Sequence, residues 1–155
     1  SYYADIANNT LQLRCLGDLD KIWSVSKVVR FRSKLSAGIV SNKQLFQSDM
    51  FRLGGLNSIR GFTERSFFAS AYGILNLELI AILARQTFAF IFLDQALVDE
   101  GVSAPHVQFP LGTGLGFRFD TNAGIFNLVY ALGKSVEQPF SLNYSKVHIG
   151  YIGRF

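Results

Sequence analysis

Few residues in this chain could do chemistry, and they stand far apart. There are two histidines, His106 and His148, one cysteine, Cys15, and eleven acidic residues in 155 positions. A structural zinc site needs four ligands, usually at short spacing, and a lone thiol has no disulfide partner within the chain. Neither histidine has a second ligand or a nucleophile at a telling distance, so no catalytic group, metal or cofactor is expected. His106, beside Pro105 in a long connection, reads as solvent-exposed. What remains is one glycine-rich segment, Phe51-Arg52-Leu53-Gly54-Gly55-Leu56-Asn57-Ser58-Ile59-Arg60-Gly61-Phe62-Thr63-Glu64. Gly54, Gly55 and Gly61 allow backbone turns closed to other residues, so this segment can fold back and carry Arg60 at its tip. Taken alone, Arg60 is either an exposed cation worth about zero to 1 kcal/mol or an inward guanidinium that needs carboxylates in bidentate reach.

The elements that position this segment show a period of two, the signature of strands. From Val28 to Ile39, Val29, Phe31, Leu35 and Ile39 alternate with Arg30, Arg32, Lys34 and Ser36. Ala71–Ala81, Leu111–Thr121 and the stretch from Lys146 alternate in the same way, placing Glu78, Arg118 and His148 on the polar face. With Phe88–Val98, Gly124–Lys134 and an N-terminal strand near Thr10–Leu16, about seven strands are expected. The turns read at Gly17–Lys21, at 84–87 and at 121–124 are short. The connections 41–70, 99–110 and 135–145 are long. No helix, linker or low-complexity tract is expected.

Composition narrows the class. Half the residues (49%) are hydrophobic and 17% are charged, which excludes disorder. The mean hydropathy is +0.24, yet no run reaches the ~18 apolar residues of a membrane helix. A net charge of +4 comes from scattered Lys and Arg without stacking aromatics between them, so nucleic acid is not an expected partner. One face is large and apolar and the other sparse and glycine-rich, as lipid outside and water inside would require. The alternation of short turns and long loops also suits a transmembrane antiparallel β-barrel, although a soluble sandwich would alternate too. Ser1-Tyr2-Tyr3 shows no signal-peptide pattern, so the chain is expected to be processed or to begin within a longer polypeptide.

The segment Leu53-Gly54-Gly55 with Ile59-Arg60-Gly61-Phe62 resembles the loop motif of the BamA/TamA-type outer-membrane assembly and secretion barrels, the bacterial surface antigen family. Asn76-Leu77-Glu78-Leu79, Phe92-Leu93-Asp94, Gly112 to Asp120 with Gly124, and Ile149 to Phe155 resemble that family's later strands in the same order. Two positions depart from its pattern: Ala96 stands where glycine is usual, and Gly153 where an apolar residue is common.

The resemblance implies that Glu78 and Asp94 are lumenal partners of Arg60. It also implies that His148, Gly150, Tyr151 and the terminal Phe155 form a closing strand with its assembly signal. About seven strands cannot close even an eight-stranded barrel, so residues 1–155 are expected to be the C-terminal part of a barrel of about sixteen strands, with a re-entrant loop at 41–70. The implied place is the outer membrane of a Gram-negative bacterium. The implied partners are membrane lipid, client outer-membrane or secreted proteins, accessory periplasmic proteins or lipoproteins, and the rest of the barrel with POTRA domains. The first functional expectation is a client insertase with a laterally opening seam at Lys146–Phe155. The alternative is a secretion pore of the two-partner or TamA type, and a passive porin ranks below both.

Overall fold

A computed structural model describes residues 3–5, 10–41, 46–101 and 107–153, with the backbone alone for 3–5 and 10–12. Eleven strands run β1 (Tyr3–Asp5), β2 (Thr10–Ser24), β3 (Val29–Ser41), β4 (Phe51–Leu53), β5 (Phe67–Ala69), β6 (Ala71–Ala84), β7 (Thr87–Asp99), β8 (Val107–Gln108), β9 (Leu111–Thr121), β10 (Gly124–Lys134) and β11 (Lys146–Gly153). Nine form one sheet in the order β1-β2-β3-β6-β7-β9-β10-β11, with β8 paired to β7, while β4 and β5 make a separate hairpin. Every pairing is antiparallel. Among the described residues there is no α-helix, only a single 3-10 turn at Leu142–Tyr144.

The register sorts the side chains onto two faces, because directly paired residues point the same way. On one face Phe31 pairs with Leu79, Leu79 with Ile91, Ile91 with Leu115 and Leu115 with Tyr130. Leu79, Ile91 and Leu115 are exposed, as are Leu35, Phe117, Leu128 and Ile149 around them. That continuous apolar face has the character a lipid-facing band requires. On the other face Arg32 pairs with Glu78, Asn76 with Asp94 and Arg118 with Asn127. The buried core lies on this inner side. Phe51, Leu53, Ile59, Phe62 and Phe67 of the re-entrant segment pack there against Val40, Ile74, Ala96 and Val98 of the wall.

One expected turn is corrected. Gly17–Lys21 lies within β2, and the chain reverses after Ser24 instead. Asp18 and Asp20 look like turn formers, but here they face inward. Ser36 donates to Asp18 at 2.6 Å, and Arg32 donates to both oxygens of Asp20 at 3.0 and 2.6 Å. The seven long strands otherwise fall where the alternation puts them, and the short pieces β4, β5 and β8 lie inside the long connections.

Candidate functional site

The hairpin β4–β5 lays the loop along the inner face of the wall. Between its strands the chain bends at Gly54, Gly55 and Gly61, with φ of 111°, 91° and 94°. A β-carbon on Gly55 would collide with the Glu64 carboxylate, whose Oε1 accepts the Leu56 N–H at 2.9 Å. The Gly54 N–H donates to Ser58 Oγ at 2.7 Å, and the Gly55 N–H to the Ile59 carbonyl at 3.1 Å. These bonds brace the tip from within the loop itself.

Arg60 then reaches two strands at once. Its backbone N–H and Nε donate to Asp94 Oδ2 at 3.0 and 2.7 Å, and Nη2 donates to Oδ1 at 2.6 Å. Nη1 donates to Glu78 Oε1 at 2.5 Å. All three groups are buried: Arg60 is 5% exposed, Glu78 5% and Asp94 0%. Burial alone would depress the Arg60 guanidinium, but the hydrogen bonds and charge of Asp94, with Glu78, hold it above its ordinary value. The Phe92 ring lies beneath the guanidinium at 3.8 Å, a cation–π contact strengthened by the loss of water.

The neighbouring strands leave room for the tip. A β-carbon on Gly112 would collide with the Arg60 carbonyl, and one on Gly116 with the Phe90 ring. Gly61 and Gly133 approach so closely that a β-carbon on either would meet the other's backbone. The Gly61 N–H donates to His148 Nε2 at 3.3 Å, which ties the tip to β11. Gly150 on the same strand leaves the space that Leu56 fills.

The residues expected to matter thus divide into groups. Gly54, Gly55, Ile59, Arg60, Gly61 and Phe62 form the buried tip. Glu78, Asp94 and His148 meet it from three different strands. Tyr151 faces outward, its ring tilted against Phe126 at 4.6 Å between centroids, with its hydroxyl donating to the Ala123 carbonyl at 2.8 Å. Phe155 and His106 lie outside the described residues.

Two further side chains complete the contacts of the tip. Asn76 donates to Asp94 Oδ1 at 2.8 Å and to the Ser58 carbonyl at 2.9 Å. Gln138, in the β10–β11 connection, donates to the Gly61 and Gly133 carbonyls at 3.3 and 3.0 Å. The only sequence signal for Asn76 is its polar position two residues before Glu78. Nothing in the local sequence marks Gln138.

The model for the haemolysin secretion/activation proteins ShlB/FhaC/HecB matches residues 15–119. The chain belongs to this family. The match runs from β2 through the loop motif, Glu78 and Asp94 into β9, so it covers the tip and both carboxylates. Membership in the ShlB/FhaC/HecB family carries the reading of an outer-membrane β-barrel engaged in protein secretion. It favours the secretion alternative over the insertase expected first. No curated protein matches the chain.

Proposed function

We propose that this chain is part of the wall of an outer-membrane secretion pore, with the loop tip latched in the lumen through Arg60. The observation that carries this reading is the secretion-family match over residues 15–119, which includes the latch. The physics of the latch supports it. A buried ion pair contributes little to stability compared with apolar packing of the same volume, whereas removing one partner costs about 3–5 kcal/mol. Such a contact is suited to holding a loop in one place rather than to strengthening a wall. If the tip withdraws into a water-filled lumen, its charges regain hydration, which offsets part of the lost pairing. A client polypeptide could then pass where the tip had been.

The reading requires a secreted client, membrane lipid, the rest of the barrel and, upstream, domains of the POTRA kind that would capture the client. The test is secretion by the full-length protein in a Gram-negative host that also makes the client. Arg60→Ala and Asp94→Ala should each sharply lower the client in the medium, because a tip that has lost either partner is no longer held in one place. The amount and heat-modifiable migration of the barrel should not change. Wild-type secretion from both variants would overturn the latch. Depletion of the protein should leave unrelated outer-membrane barrels assembling normally, and their loss would instead favour an insertase.

A further inference from the structure

Beside the tip, the inner wall opens into a cleft of about 180 Å³ lined in part by Arg32, Lys34, Arg60, Glu78, Arg118 and Asn127. Four cations therefore face one carboxylate. Three of them have partners of opposite charge: Arg60 holds Asp94 and Glu78, Arg32 holds Asp20 and touches Glu78 at 3.5 Å, and Lys34 lies 3.8 Å from Asp18. Arg118 differs. Its Nε donates to the neutral Asn127 Oδ1 at 2.8 Å, and its guanidinium sits 5.5 Å from the Phe90 ring centroid. Among the described residues no carboxylate lies within ion-pair distance of it. Arg32, Lys34 and Arg60, which line the same cleft, carry its own sign of charge. A half-buried guanidinium with open donors and like charges around it is an incomplete pair.

We propose that Arg118, with Arg32 and Lys34 beside it, forms an anion subsite on the lumen wall that takes carboxylate side chains of a passing client. The existence of the subsite stands on the wall geometry. Only the source of the carboxylate rests on the secretion reading. A volume of about 180 Å³ has room for one carboxylate and too little for a folded element, so the occupant belongs to an extended acidic segment. Asn127 keeps the Arg118 fork oriented without neutralising it, which leaves Nη1 and Nη2 to the ligand.

The probes are a fluorescent hexaglutamate peptide, a hexalysine control and inorganic phosphate, each titrated against the full-length detergent-solubilised protein. Hexaglutamate should bind and hexalysine should not. Arg118→Gln should weaken binding about tenfold, the effect of one charge-assisted contact, and Arg118→Lys should weaken it less. Asn127→Asp, which supplies an internal carboxylate to the same Nε, should abolish binding while keeping the volume of the wall. That second variant decides the matter if Arg118→Gln fails to fold. If phosphate binds with the same dependence on Arg118 and hexaglutamate does not, the subsite stands and its client source is overturned. If no anion binds, or if Arg118→Gln and Asn127→Asp both bind like wild type, the subsite itself is overturned. Client secretion is scored separately, so failure of the pore reading would show as absent secretion with anion binding intact.

Discussion

The two carboxylates that hold Arg60 are not equivalent. Asp94 accepts from the Arg60 backbone, from Nε and Nη2, and from Asn76, whereas Glu78 accepts one bond from Arg60 and shares its other oxygen with Arg32. When Arg60 leaves, Glu78 still has a cation at hand, while Asp94 keeps only a neutral amide. Asp94→Asn should therefore loosen the tip more than Glu78→Gln. Breaking a buried pair costs about 3–5 kcal/mol, and the Glu78 variant should fall about 1–2 kcal/mol below that because Arg60 keeps Asp94 and Arg32 keeps Asp20. Labelling of Asn57→Cys by an impermeant maleimide, in a Cys15→Ser background, reports tip exposure. Equal labelling rates for the two variants would contradict this ranking. At this scale the loop glycines are legible from residue type. The pairing of Arg60 with Glu78 and Asp94 is legible only through the family resemblance, because residue type alone leaves Arg60 an exposed cation as readily as a buried one. Gln138 is not legible, because its amide reaches Gly61 only through the fold, across 77 positions.

At the scale of elements, the strands are legible because lipid and lumen demand opposite side chains at alternate positions, and that demand repeats along each long strand. Legibility fails where two rules compete. Gly17-Asp18-Leu19-Asp20 has turn chemistry, but cross-strand partners on β3 satisfy both aspartates, and pairing outweighs local preference. The glycines of β9 carry a second message that alternation alone does not give. Gly112 and Gly116 face inward, where the Arg60 carbonyl and the Phe90 ring occupy the space of their missing side chains. Gly73 on β6 has open space where a side chain would sit. Gly112→Ala should expel the tip, since backbone cannot move aside cheaply, and Gly73→Ala should be neutral within about 0.5 kcal/mol. Protease nicking of the 41–70 segment in intact outer membranes would separate them: rapid nicking is expected for Gly112→Ala and wild-type resistance for Gly73→Ala.

For the whole molecule, the decisive fact is that the sheet has two sides and two ends. The outer side is settled by residues such as Ile91 and Leu115, exposed and surrounded by apolar neighbours. Replacing either by arginine near the bilayer midplane should cost about 2–4 kcal/mol of folding free energy in lipid vesicles, read from urea titration of the full-length barrel. The ends pose a sharper problem. Beyond its short pairing with β1, β2 has a free edge among the described residues, and β11 has another. Unpaired backbone groups are not tolerated in hydrocarbon, so both edges must find strands. A 155-residue polypeptide by itself should remain urea-extractable from vesicles and show no heat-modifiable band. The native polypeptide in outer membranes should migrate, when denatured, well above 17.3 kDa. A denatured mass near that value, together with a heat-stable band several times larger, would mean that copies of this chain close the wall by pairing with one another. In that case each barrel would carry more than one loop tip, and the single latch around Arg60 would become a repeated feature of a symmetric lumen.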